Sequence, residues 1–178
     1  MAEEKQKEEC MKWLLIEKTA VTIVLVLVWA LGVKVGYRED GTIMEHVLWI
    51  VCHANFWHLC GNLFVLWLMS KRLYLAVSVA IAFLASWLPV LPGAWEMITS
   101  LNSEGTAAAA ATMGFSGVLF AIIGVKWGAL CRCGTTTYWT FCKRMLPFAL
   151  VGVLIPHINW SIHTYCVLMG LAYGRWKG

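Results

Sequence analysis

Charge is what this chain has least of. Asp, Glu, Lys and Arg make up 13% of its 178 residues, against 60% that are hydrophobic. A soluble domain carries roughly a quarter charged residues. A chain of this length cannot keep so much apolar surface from water, so the expected solvent is lipid. The basic residues fall in short clusters between apolar runs, which excludes a nucleic-acid footprint. Carboxylates are absent from the six long apolar cores and from the neighbourhood of His163. That leaves a Ser-His-Asp triad without its acid. HExxH is absent too, and His53, His58 and Cys60 without a nearby carboxylate make a poor metal set. The seven cysteines are odd in number and lack a disulfide spacing, and Cys131-x-Cys133 is too tight for a zinc knuckle. No internal repeat is visible, which counts against a transporter built from duplicated halves.

What remains is a series of apolar runs. Residues 1–18 form a mixed-charge head, expected to be a short cytoplasmic helix, with Trp13-Leu14-Leu15-Ile16 able to touch the membrane surface. The head does not resemble a cleaved signal peptide, so the run after it should stay as an anchor. Six spans are expected: Thr19–Val33, Phe56–Ser70, Leu73–Leu91, Met113–Leu130, Met145–Ile155 and Trp160–Gly174. Lys71-Arg72 stops the second, and Pro89 and Pro92 mark the end of the third. Ile43–Asn55, interrupted by Glu45, His46 and His53, reads as an interfacial loop segment, and Gly93 to Thr112 as a connection. The expectation is an all-α polytopic membrane protein: residues 1–18 as a short segment, 19–178 as a six-helix domain. With the N-terminus in the cytoplasm, twelve of the fourteen basic residues lie inside and only Lys34 and Arg38 outside. That bias puts both termini in the cytoplasm. The many tryptophans read as interfacial belt residues.

Spans 2, 4 and 6 then all begin on the outer side. His58, Asn62, Ser116 and His163 fall near those beginnings, roughly 5–10 Å deep at 1.5 Å per residue. Polar groups in lipid are costly unless they face the bundle interior, where they usually mark function. His58 and Asn62, four apart, share one face of a helix. Gly117, Ala121, Gly124 and Gly128 form a small-residue stripe on span 4, and Cys166, Gly170 and Gly174 continue one below His163 on span 6. Such stripes let helix backbones approach closely. If these two spans pack together, Ser116 meets His163.

A serine hydroxyl needs a base before it becomes a nucleophile, and a neutral imidazole can serve. With no acid nearby, a Ser116–His163 dyad is expected, its imidazole oriented by packing on Phe120. The oxyanion formed on an amide would be met by the Asn62 amide, the His58 imidazole and the Ser116 backbone N–H. Gly114 and Gly117 allow a tight turn and clear side chains from the substrate's path. Blander readings exist for each part. Ser116 alone is a packing residue, and His58 with Asn62 is an interhelical hydrogen-bond pair. His46 and His53 are solvated interfacial groups, and His157 belongs to a turn. GxSG is not the GxSxG elbow of soluble hydrolases.

Taken together, His53-x4-His58-x3-Asn62, Gly114-x-Ser116-Gly117 and His163 on a glycine-bearing span resemble the rhomboid family of intramembrane serine proteases. The resemblance covers the whole membrane core. It implies a compact six-helix bundle that cleaves transmembrane protein substrates within the lipid bilayer, near their outer ends, with no metal or cofactor. It implies Ser116 as nucleophile, His163 as base, His58 and Asn62 in the oxyanion hole, and His53 in support, beside the supporting roles read above for Gly114, Gly117 and Phe120. Three positions depart from the family pattern. No Trp-Arg pair stands near Met44-Glu45, Cys166 replaces a glycine, and Phe120 stands where tyrosine is common. The expected location is the cell (inner) membrane, with the site opening outward. The alternative is an inactive rhomboid-like protein that binds or sorts membrane clients.

Overall fold

A computed structural model describes residues 2–38, 40–69, 73–89, 91, 112–154 and 159–177. The Lys71-Arg72 stop, the connection from Gly93 up to residue 111, and the Pro156-His157-Ile158 turn lie outside the described residues. Among the described residues there are seven helices and no strand. They are α1 (Ala2–Ala30), α2 (Ile43–Leu48), α3 (Phe56–Leu68), α4 (Leu75–Ala85), α5 (Ser116–Arg132), α6 (Tyr138–Leu154) and α7 (Trp160–Lys177). The all-α expectation holds over this range.

Local chemistry sets many of the helix ends. α1 has no glycine or proline, so it runs unbroken past Lys18, where the sequence suggested a junction. It stops at Gly32, whose φ of +69° is the left-handed conformation that glycine adopts without the steric cost of a Cβ. There the Gly32 N–H donates to Trp29 O (3.0 Å) and the Val33 N–H to Val28 O (3.3 Å), a Schellman closure. α5 ends the same way at Gly134, φ +68°. Its paired bonds are Gly134 N–H to Cys131 O (3.3 Å) and Thr135 N–H to Leu130 O (3.1 Å). α2 lies inside the segment expected to be loop, because Thr42 and Glu45 form a reciprocal capping box. α6 begins at Tyr138, seven residues earlier than the apolar pattern suggests, capped by the Thr137 hydroxyl on the Thr140 N–H (3.2 Å).

Only α1, over Glu4–Ala30, is long and apolar enough among the described helices to cross a membrane; Phe56–Leu68 and Leu75–Ala85 are shorter apolar helices. α4 extends only about 16 Å, against a hydrocarbon core of about 30 Å. Helix length and composition alone therefore do not establish six spans.

α5 and α7 form the most extensive helix pair, with α4 against both and α1 against α3. The reason is the absence of side chains. A Cβ on Gly170 would lie 2.5 Å from Ala121 O and 3.0 Å from Val125 N. One on Gly124 would meet the Val167 carbonyl, and one on Gly128 the Leu171 carbonyl. The two backbones thus touch along the length of the seam, as the small-residue stripes suggested. Gly117 is the exception. Its missing Cβ makes room for Trp49 Cη2 (2.6 Å) from the segment after α2, with Cys166 Sγ behind at 3.5 Å. The core centres on α5, where Val118, Ala121, Ile122 and Val125 are buried with Leu25, Leu66, Ile162 and Cys166.

Candidate active site

Ser116 is the first residue of α5 and His163 the fourth of α7. The α5–α7 seam brings their side chains together, with Ser116 Oγ 2.8 Å from His163 Nε2. The Phe120 ring, one turn along α5, stacks on the imidazole with centroids 4.6 Å apart and planes inclined by 26°. Ser116 and His163 are each partly buried.

α3 supplies the opposite wall. Asn55 caps it by accepting the His58 N–H (2.9 Å), which fixes the first turn. His58 and Asn62 both face the backbone just ahead of Ser116. A Cβ on Gly114 would lie 2.6 Å from His58 Cε1, 2.8 Å from His58 Nε2 and 3.6 Å from Asn62 Nδ2. Gly114 also has φ +136°, so both its conformation and its surroundings require glycine. Its N–H donates to Trp49 O (2.8 Å), pinning this segment to the chain that follows α2.

His53 is fully buried rather than solvated, because its ring sits between α3 and the start of α5. The Phe115 N–H donates to His53 Nε2 (3.4 Å), which makes that nitrogen an acceptor and assigns the proton to Nδ1. The Asn62 amide therefore donates to the same nitrogen (2.9 Å), leaving its second N–H for another acceptor. His53 and His58 meet edge to face at 5.3 Å. Burial, and then the facing His58 ring, push the His53 pKa down to about 4, with the Val51 backbone acting in the opposite sense. His53 is thus a neutral acceptor near pH 7.

His46, also read from sequence as solvated, is buried as well. Its Nδ1 lies 2.9 Å from Ser86 Oγ, and its ring stacks on Trp87 at 3.9 Å. Since the Ser86 hydroxyl donates to Phe83 O (2.6 Å), it accepts from His46 Nδ1–H. This anchors α2 to the end of α4, in the segment where the expected Trp-Arg pair is missing. Burial lowers the His46 pKa, with Glu45 pulling it back up. Sequence reasoning passed over Tyr37, Trp49, Thr112 and Asn159, which tie these elements together across 47 to 122 residues. A cavity of about 660 Å³ opens between α1 and α4 and reaches Phe115, but neither Ser116 nor His163 lines it. Among the described residues no three His, Cys, Asp or Glu side chains converge as metal ligands would.

No curated protein and no solved structure gives a significant match to this chain. A family model described as the Rhomboid domain does, over residues 40–178. That range begins just ahead of α2 and takes in His53, the α3 face, the Gly114–Gly117 turn and the α7 histidine. Over most of its length, then, the chain belongs to the rhomboid family of integral membrane proteins, which includes both proteases and inactive members.

Proposed function

We propose that this protein is an intramembrane serine endopeptidase, hydrolysing peptide bonds in or near the transmembrane helices of other membrane proteins. The observation that carries the reading is the 2.8 Å contact between Ser116 Oγ and His163 Nε2. With its Nδ1 protonated, His163 accepts the hydroxyl proton at Nε2 as Oγ attacks the scissile carbonyl, then returns that proton to the leaving amine. A positioned base of this kind contributes about 10²–10⁴-fold. Water repeats the sequence on the acyl-enzyme. The oxyanion is received by the second Asn62 N–H, His58 and the Ser116 backbone N–H, preorganised donors that share the developing charge. The close approach of His58 and Asn62 to Gly114 supports this role. Phe120 holds the imidazole by stacking, and His53 holds the Asn62 amide.

The same reading takes residues 19–178 as six spans, with both termini cytoplasmic and the site open to the outer side of a cell (inner) membrane. The inside excess of Lys and Arg supports that orientation. Its substrates are transmembrane proteins, and its chemistry needs no metal or cofactor. The rival reading, an inactive member that binds or sorts membrane clients, has no use for a serine and histidine at bonding distance.

A fluorophosphonate probe applied to the detergent-solubilised protein separates the two. Labelling of wild type that is lost in Ser116→Ala, with cleavage of a panel of single-span reporters lost in parallel, is the expected result. Folded wild type that neither labels nor cleaves would overturn the protease reading in favour of the rival.

A further inference from the structure

Two catalytic side chains on different helices need their helices held in register at the end where they meet. The α5–α7 glycine seam fixes the spacing further along the helices. At the end where Ser116 and His163 sit, a polar cluster completes the connection. Asn159 caps α7: its Oδ1 accepts the Ile162 N–H (3.2 Å) and the Ser161 hydroxyl (2.5 Å). The Nδ2 of the same amide reaches out of the helix and donates to Thr112 Oγ1 (2.8 Å) and to Tyr37 OH (3.2 Å). Thr112 lies two residues before Gly114, on the segment leading into Ser116. Tyr37 and Thr112 are joined by a reciprocal backbone pair, Tyr37 N–H to Thr112 O (2.9 Å) and Thr112 N–H to Tyr37 O (3.1 Å). The Tyr37 ring is buried against Trp49 (5.0 Å), whose carbonyl holds Gly114 N–H and whose ring fills the space beside Gly117.

We infer that Tyr37, Thr112 and Asn159 form a clasp that positions the serine relative to the histidine. Asn159 is its pivot. One end of the amide sets where α7 begins, and so where His163 stands four residues on. The other end grips the segment that delivers Ser116. None of the three touches the reacting atoms; they are positioning residues, and their role rests on the protease reading above. The chemistry explains the residue types. Only a side chain with both an acceptor and a two-hydrogen donor can cap a helix and bind two hydroxyls at once, which asparagine provides and serine does not.

That difference gives the test. Asn159→Ser keeps an oxygen that can cap α7 but is too short to reach Thr112 or Tyr37. Thr112→Val removes only the receiving hydroxyl and leaves the backbone pair with Tyr37 intact. Purified full-length variants are compared with wild type for kcat and KM on a single-span reporter, for the rate of fluorophosphonate labelling of Ser116, and for thermal midpoint. Each single variant should lose about tenfold in kcat and in labelling rate, since small misplacements of reacting groups are costly, while KM stays within about twofold. The double variant should be no slower than the worse single one, because both break one connection. Variants that match an active wild type, that raise KM with kcat intact, or whose losses multiply would overturn the clasp alone. A wild type that neither labels nor cleaves overturns the protease reading, and the clasp's positioning role with it.

Discussion

The Phe120 ring lies over the His163 imidazole, 4.6 Å between centroids, so the histidine is oriented by a stacked aromatic where soluble serine hydrolases place a carboxylate. A stack of this kind is worth about 0.5–1.5 kcal/mol beyond buried area. Phe120→Leu should therefore lower kcat about 3- to 10-fold, and Phe120→Tyr should leave it near wild type. Single-turnover cleavage measures both, and an unaffected Phe120→Leu enzyme would show that the stack orients nothing.

His163→Ala should abolish turnover without unfolding the protein. On the proposed mechanism Asn62→Ala should cost about 10²-fold or less, because His58 and a backbone N–H remain as donors to the oxyanion. Reporter cleavage beside a thermal melt distinguishes loss of chemistry from loss of fold. Full activity in His163→Ala protein would refute the dyad.

Gly114→Ala puts a methyl group 2.6 Å from His58 Cε1 at a φ of +136°. Either His58 or the segment carrying Ser116 must move. The expected loss is about 10²-fold in kcat, in line with the cost of small displacements in an active site. Wild-type labelling of Ser116 in this variant would contradict it.

On the α5–α7 seam, Gly170→Ala meets a backbone carbonyl at 2.5 Å that cannot swing aside. Overpacking of that kind costs about 1–3 kcal/mol. A lowered thermal midpoint is expected. Gly61→Ala, where an added Cβ meets nothing within 4 Å, should not lower it and serves as the control.

His53 binds fewer protons folded than unfolded, because its folded pKa of about 4 lies below the unfolded value near 6.5. Stability should therefore fall as pH drops from about 6.5 towards 4, and stay level above that window as far as this residue is concerned. In His53→Gln, whose carbonyl can accept the same two N–H groups without titrating, the fall should be shallower. It should not vanish, since burial also holds the His46 pKa down. Thermal midpoints between pH 7 and 4.5 test this, and an unchanged slope would count against His53.

Much of the site could be read from the chain because its parts follow helical spacing. His58 with Asn62, and the glycines of α5 and α7, are spaced at three and four residues, and that spacing alone puts them on shared faces. Ser116 and His163 could be paired through those faces. What escaped was held by contacts with no period. The reach from His46 to Ser86 spans 40 residues, and that from Tyr37 to Asn159 spans 122. A buried histidine in a segment bearing Glu45 also looks the same in sequence as a solvated one. Helix ends went astray for local reasons. Thr137 starts α6 before its apolar residues begin.

The glycine seam has a consequence for traffic. Where the backbones of α5 and α7 are too close for a single methyl group, no polypeptide can pass between them. If the protein is the protease proposed above, a substrate helix arriving through the bilayer is barred from that side, although it is the side on which the serine and histidine are joined. On the protease reading, such a helix would come to the site from a side other than the seam. The close seam that joins the two helices would thus also limit the directions from which a substrate can approach.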